Sequence, residues 1–178
     1  MQDRKNAPSR DDRENGQRWS AVEEATELLH EERFRDALDE LRTVLASDPK
    51  NEYAYYFLGI AFFEIGEIEA SRDAYAACVK LAPAHLGARV ALCHVLRMLG
   101  DTRGALREGM TGLSQAPGDA DALHAIGLVH HARGEQVPAR KYLEAFLATG
   151  PELEVALETR ALLATLDSDA ASQDEADD

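Results

Sequence analysis

Apolar positions recur at helical spacing along most of this chain. Between residues 52 and 85, Tyr55, Leu58, Gly59 and Phe62 fall at i, i+3, i+4 and i+7, one stripe of an amphipathic helix. Gly66 predicts the end of that helix, because a left-handed C-terminal cap suits glycine. Glu67 and Glu69 then open a second helix, where carboxylates meet the positive end of the dipole. Ala70, Ser71, Ala74, Tyr75 and Cys78 form its stripe. Pro83 stops it, since proline cannot continue the hydrogen-bond ladder.

The pattern returns at a fixed interval. Pro49, Pro83, Pro117 and Pro151 stand 34 residues apart, and so do Gly66, Gly100 and Gly134. Two columns of mostly small residues keep the same frame: Ala25, Gly59, Cys93 and Gly127, and Ala37, Ser71, Ala105 and Ala139. These columns belong where the two helices of a block cross, and a larger side chain there would push the backbones apart. A period of this length marks stacked helix–turn–helix units. The predicted fold is all-α: a right-handed superhelical solenoid of four helix–turn–helix repeats plus a C-terminal capping helix. The repeats span 18–51, 52–85, 86–119 and 120–153. The cap spans 152–166, with Val155, Leu157, Ala161, Leu162 and Leu166 as its apolar positions. Residues 1–17 and 167–178 lack apolar periodicity and are expected to be disordered tails.

Two departures from the frame stand out. The first block has Glu32 where the others have Gly66, Gly100 and Gly134. The third carries Gly104, Gly109 and Gly112 in its second helix, which makes that helix the weakest by propensity. Either a neighbouring side chain packs closely there, or the helix is a hinge.

Charge narrows the choice of partners. The formal net charge is −14, and the tail from Asp167 to Asp178 holds six acids and no base. That sign argues against a nucleic-acid partner. No apolar run approaches the roughly 18 residues of a membrane span. Residues 1–17 show no apolar leader. Two cysteines, Cys78 and Cys93, make no disulfide framework and read as small core residues. A cytoplasmic location is expected.

The columns resemble the tetratricopeptide repeat family. In the second block Tyr55, Leu58, Gly59, Phe62, Ser71, Tyr75, Cys78 and Pro83 fall on the family's pattern. In the fourth, Leu123, Ile126, Gly127, His130, Ala139, Leu143, Phe146 and Pro151 do so. The resemblance implies that the first helices of successive repeats line a concave groove. The groove positions are then Trp19, Val22, Thr26 and Leu29 in the first repeat and Tyr53, Tyr56, Ile60 and Phe63 in the second. In the third they are Val90, His94, Arg97 and Met98, and in the fourth Asp121, His124, Leu128 and His131. The surface changes from aromatic and aliphatic to basic along the chain. It would suit a peptide or helix with apolar side chains against Tyr53, Tyr56, Ile60 and Phe63 and an acidic group or C-terminus towards Arg97. The Lys and Asn clamp by which some members grip a C-terminal carboxylate is absent: Val22, Thr26, Phe57, Gly87 and Ala91 stand where it would be sought.

No catalytic set, phosphate loop, cofactor motif or metal spacing emerges. His124 and His131 are two helical turns apart, about 10 Å, too far for one metal. The expected function is a small adaptor or scaffold, not an enzyme, binding a segment of a partner protein. One alternative is a secretion-type chaperone, which members of similar size and acidity resemble. Another is a self-assembling scaffold and hence a homo-oligomer.

Overall fold

The computed structural model describes the backbone of residues 10–174, and side chains as far as Leu166. Ten helices and no strand are found among the described residues. They are α1 (Arg10–Ser20), α2 (Glu23–His30), α3 (Phe34–Ser47), α4 (Glu52–Glu64), α5 (Ile68–Leu81), α6 (Leu86–Met98), α7 (Thr102–Gln115), α8 (Ala120–Ala132), α9 (Gln136–Ala148) and α10 (Leu153–Asp174). The helices α3, α5, α7 and α9 begin at residues 34, 68, 102 and 136, so the 34-residue period is written in the backbone. The chain divides into two compact units, Met1–His85 and Leu86–Asp178. In the first unit α2 pairs with α3 and α4 with α5; in the second, α6 pairs with α7 and α8 with α9.

The turn inside each pair needs one residue with positive φ. Gly66 (81°), Gly100 (83°) and Gly134 (71°) supply it at no steric cost, and Glu32 adopts the same conformation at 58°. The helix crossings are as tight as the small columns require. A Cβ on Gly59 would lie 2.4 Å from the Tyr75 ring, and one on Gly127 2.7 Å from Leu143. Ser71 uses its size twice: it fits the crossing, and its hydroxyl donates to the Gly59 carbonyl at 2.7 Å.

Glycine in α7 serves close packing. The helix runs unbroken from Thr102 to Gln115, and all three of its glycines are buried. A Cβ on Gly109 would sit 2.8 Å from Ile126 and 3.2 Å from the Cys93 sulfur. Gly112 clears Leu86 and the Arg89 stem. That space admits a buried ion pair, Arg89 to Glu108 at 2.6 Å.

Three expectations need correction. Residues 10–17 lie in α1 rather than in a disordered tail, while 1–9 fall outside the described residues. Docking holds α1: Arg18 pairs with Asp48 (3.1 Å) and Glu52 (3.3 Å), and the buried Asn51 donates to the Arg18 carbonyl at 2.9 Å. At the other end, α10 continues to Asp174, past the expected boundary at 166, and residues 175–178 lie outside the described residues. The register of α10 also differs. Ala156, Thr159, Leu163 and Leu166 are buried, whereas Leu157 is 55% exposed. A polar residue hid the true stripe, because Thr159 satisfies its hydroxyl on the Val155 carbonyl (2.8 Å) and can be buried.

Candidate functional site: the faces of the first helices

In the first unit, α2 and α4 present a shared face. A cleft of about 400 Å³ opens there, lined among others by Thr26, Leu29, Phe57, Ile60 and Glu64. Helical spacing puts Phe57, Ile60 and Glu64 on one side of α4, and Phe63 beside them is 38% exposed. Next to the cleft is an aromatic cluster. Trp19 meets Tyr53 edge-on at 5.2 Å and Phe57 at 6.0 Å. The Tyr53 hydroxyl donates to Asn15 Oδ1 at 2.7 Å. Tyr56 packs against Phe57, Tyr75 and His85, with ring centroids 4.7 Å apart in the last case. So α1 is seated against Tyr53 with Trp19 itself 45% exposed, and the cleft beside Thr26 and Ile60 is open.

Val22 was expected on this face and is fully buried. Its side chain joins Ala25, Leu38, Leu41 and Leu58 in the core, because the chain turns between α1 and α2 at this point and swings it inward. Val90, likewise, is only 8% exposed on α6. Asn51 and His85 are not legible as site residues from sequence, and Phe57 enters there only as a residue standing where a carboxylate clamp would be sought. Phe57 is one residue from the expected stripe, and a face wider than one stripe would have included it.

In the second unit the first helices carry His94, Arg97 and His124. His94 on α6 and His124 on α8 meet with ring centroids 6.4 Å apart. His124 stacks on Phe146 of α9 at 4.4 Å. Burial pushes the His94 imidazole down to about 4, with the Arg97 charge and His124 adding to the effect. Burial also lowers His124. Arg97 Nε is buried with no hydrogen-bond partner among the described residues. Leu128 packs against the Leu143–Leu163 cluster, and Met98, Asp121 and His131 are exposed.

The thiols of Cys78 and Cys93 are buried and pushed up to about 12 by burial. Among the described residues no three His, Cys, Asp or Glu side chains could hold a metal ion. No described helix is long and apolar enough to cross a membrane.

Comparison with known proteins agrees with this architecture. Residues 22–85 match the family model described as tetratricopeptide repeat. No curated protein matches the chain in sequence. Among solved structures, a crystal structure of MamA is 26% identical, with a TM-score of 0.67 over 74% of this chain and 72% of that one. A MamA RS-1 double mutant is 18% identical, with a TM-score of 0.75 over 86% and 85%. MamA 41-end from Desulfovibrio magneticus RS-1 is 18% identical, with a TM-score of 0.70 over 90% and 97%. Residues 22–85 are therefore similar to tetratricopeptide repeats, in a chain whose all-helical fold is similar to that of MamA.

Proposed function

We propose that this protein is a scaffold for protein–protein interaction that takes an apolar partner segment on the α2–α4 face of its first unit. The similarity to tetratricopeptide repeats and the likeness to MamA support the scaffold reading. The observation that carries the site is the open cleft beside Ile60 and Phe63. Its floor is apolar and its rim carries His30, Glu32 and Glu64. An extended peptide or one face of a helix can bury large side chains on Leu29, Phe57, Ile60 and Phe63 while its backbone or polar face stays wet. Aromatic groups held by packing lose little entropy on binding, which favours them as anchors. The Trp19–Tyr53 cluster bounds the site rather than opening it, since α1 is seated there.

An Ile60→Glu, Phe63→Glu variant tests the reading. Both positions lie on the open face, so helicity and melting should survive while partner capture from native extract is lost. Equal capture by the variant and the unaltered chain would remove this face from the account. Recovery of the protein's own copies alone would favour a self-assembling scaffold.

A further inference from the structure

The repeat frame runs on into α10. Ala25, Gly59, Cys93 and Gly127 mark the helix crossings at an interval of 34 residues, and the next position in that column is Ala161. The buried side of α10 keeps the same interval: Ala156 and Leu163 follow Ala122 and Val129 of α8, and all four are buried. Helix α10 is thus built as the first helix of another repeat. In the others that helix is covered by its own second helix, α3 on α2, α5 on α4, α7 on α6 and α9 on α8. On α8 the covered positions include Leu123, Ile126 and Gly127, the last beneath Leu143. Their counterparts on α10, Leu157, Arg160 and Ala161, are all exposed, and so is Ala164. The chain does not fold back over them. The turn glycine of the frame would fall where the sequence has Ser168, and α10 continues through it to Asp174.

This face is a seat for a helix, and α10 itself is the helix that matches it. Leu157, Ala161 and Ala164 are spaced four and three residues apart, and the same spacing along the backbone reaches Ser168 and Ala171. That alternation is the seam of a two-stranded coiled coil. The seam is small except at Leu157, so two backbones can approach closely provided that each Leu157 meets a small residue. Two copies laid antiparallel about a two-fold axis at Ala164 meet the condition, with Leu157 of each against Ala171 of the other. Charge selects the same arrangement. Position 167 lies about two turns beyond 160 on the same flank of the seam, so antiparallel pairing sets Arg160 against Asp167 of the second copy at both ends. Parallel pairing would set Arg160 against Arg160 and Asp167 against Asp167, and flanking charges of this kind decide orientation. We infer that the exposed face of α10 is a self-association surface, covered by α10 of a second copy in an antiparallel, isologous contact. The inference goes beyond partner capture on the α2–α4 face and does not depend on it.

Sedimentation equilibrium of the full chain tests it. A dimer that dissociates on dilution from about 1 mM is expected, since one helix face is a small interface. Leu157→Glu places a carboxylate on the seam at an exposed position, so helicity should persist while the dissociation constant rises about tenfold or more. Arg160→Asp and Asp167→Arg should each weaken the dimer. Their one-to-one mixture should regain it as a heterodimer, because opposite charges then meet at both ends. Leu157→Cys and Ala171→Cys chains, mixed and oxidised, should crosslink to each other; crosslinking of Leu157→Cys to itself would overturn the antiparallel arrangement. The Ile60→Glu, Phe63→Glu variant should dimerise like the unaltered chain. A chain that stays monomeric up to about 1 mM, or a dimer indifferent to Leu157→Glu, would overturn the inference. So would a monomeric chain that captures from extract a protein lost on Leu157→Glu, for then an outside helix takes the seat. Failure of the dimer with capture through Ile60 and Phe63 intact leaves the scaffold reading in place.

Discussion

Single residues carry the frame of this protein through backbone conformation as much as through side-chain type. Glu32 sits at φ 58° where the equivalent turns use glycine. A left-handed conformation costs a non-glycine residue roughly 1–2 kcal/mol, so Glu32→Gly should raise stability by about 1 kcal/mol, read as a higher urea midpoint at unchanged slope. Asn51 works in the other direction. It caps α4 by accepting from the Ala54 N–H (3.1 Å) and ties down the end of α1 through the Arg18 carbonyl. Asn51→Ala should cost about 2 kcal/mol, because both an N-terminal cap and a buried hydrogen bond are lost. His94 makes stability depend on pH. Its folded value near 4 lies below the ordinary 6.5, so the unfolded chain takes up the proton first as pH falls. Stability that is present above 6.5 is therefore lost as pH falls towards 4, with a slope of up to about 1.4 kcal/mol per pH unit. Denaturation of the wild type and His94→Gln across that range checks this, and the variant's profile should be flatter.

At the scale of helices, packing overrides propensity. Helix α7 contains three buried glycines and still forms 14 residues of regular helix. A Cβ at Gly109 would lie 2.8 Å from Ile126, which would have to shift, and 3.2 Å from the Cys93 sulfur, so Gly109→Leu should destabilise by about 2 kcal/mol in a urea titration instead of filling a void. A gain in stability would mean that the close approach is not required. This helix also shows what a sequence can and cannot convey. The period, the crossing columns and the glycine turns were legible because each is a local steric demand repeated at fixed spacing. Helix α1 was not, because its apolar content is slight and its anchors, Arg18 to Asp48 and Glu52 and Asn51 to the Arg18 carbonyl, are some 30 residues away in sequence. The packed stripe of α10 was obscured by Thr159, a polar residue that satisfies itself within its own turn. On the candidate faces, Ile60, Phe63, His94, Arg97 and His124 could be placed by helical spacing. Val22 could not, since its orientation depends on the break between α1 and α2.

For the molecule as a whole, the first-helix faces of the two units differ in chemistry. The first offers Leu29, Phe57, Ile60 and Phe63 beside an aromatic cluster to which α1 contributes Trp19. The second offers His94, His124 and Arg97. The central claim concerns the first face, and a photo-crosslinking amino acid tests it most directly. Benzoylphenylalanine in place of Phe63 reports from the open face; the same group in place of the exposed Asp73 on α5 reports from a second helix. After irradiation in native extract, the account predicts a discrete protein adduct from position 63 and none from position 73. Adducts from 73 alone, or the same adducts from both, would contradict it.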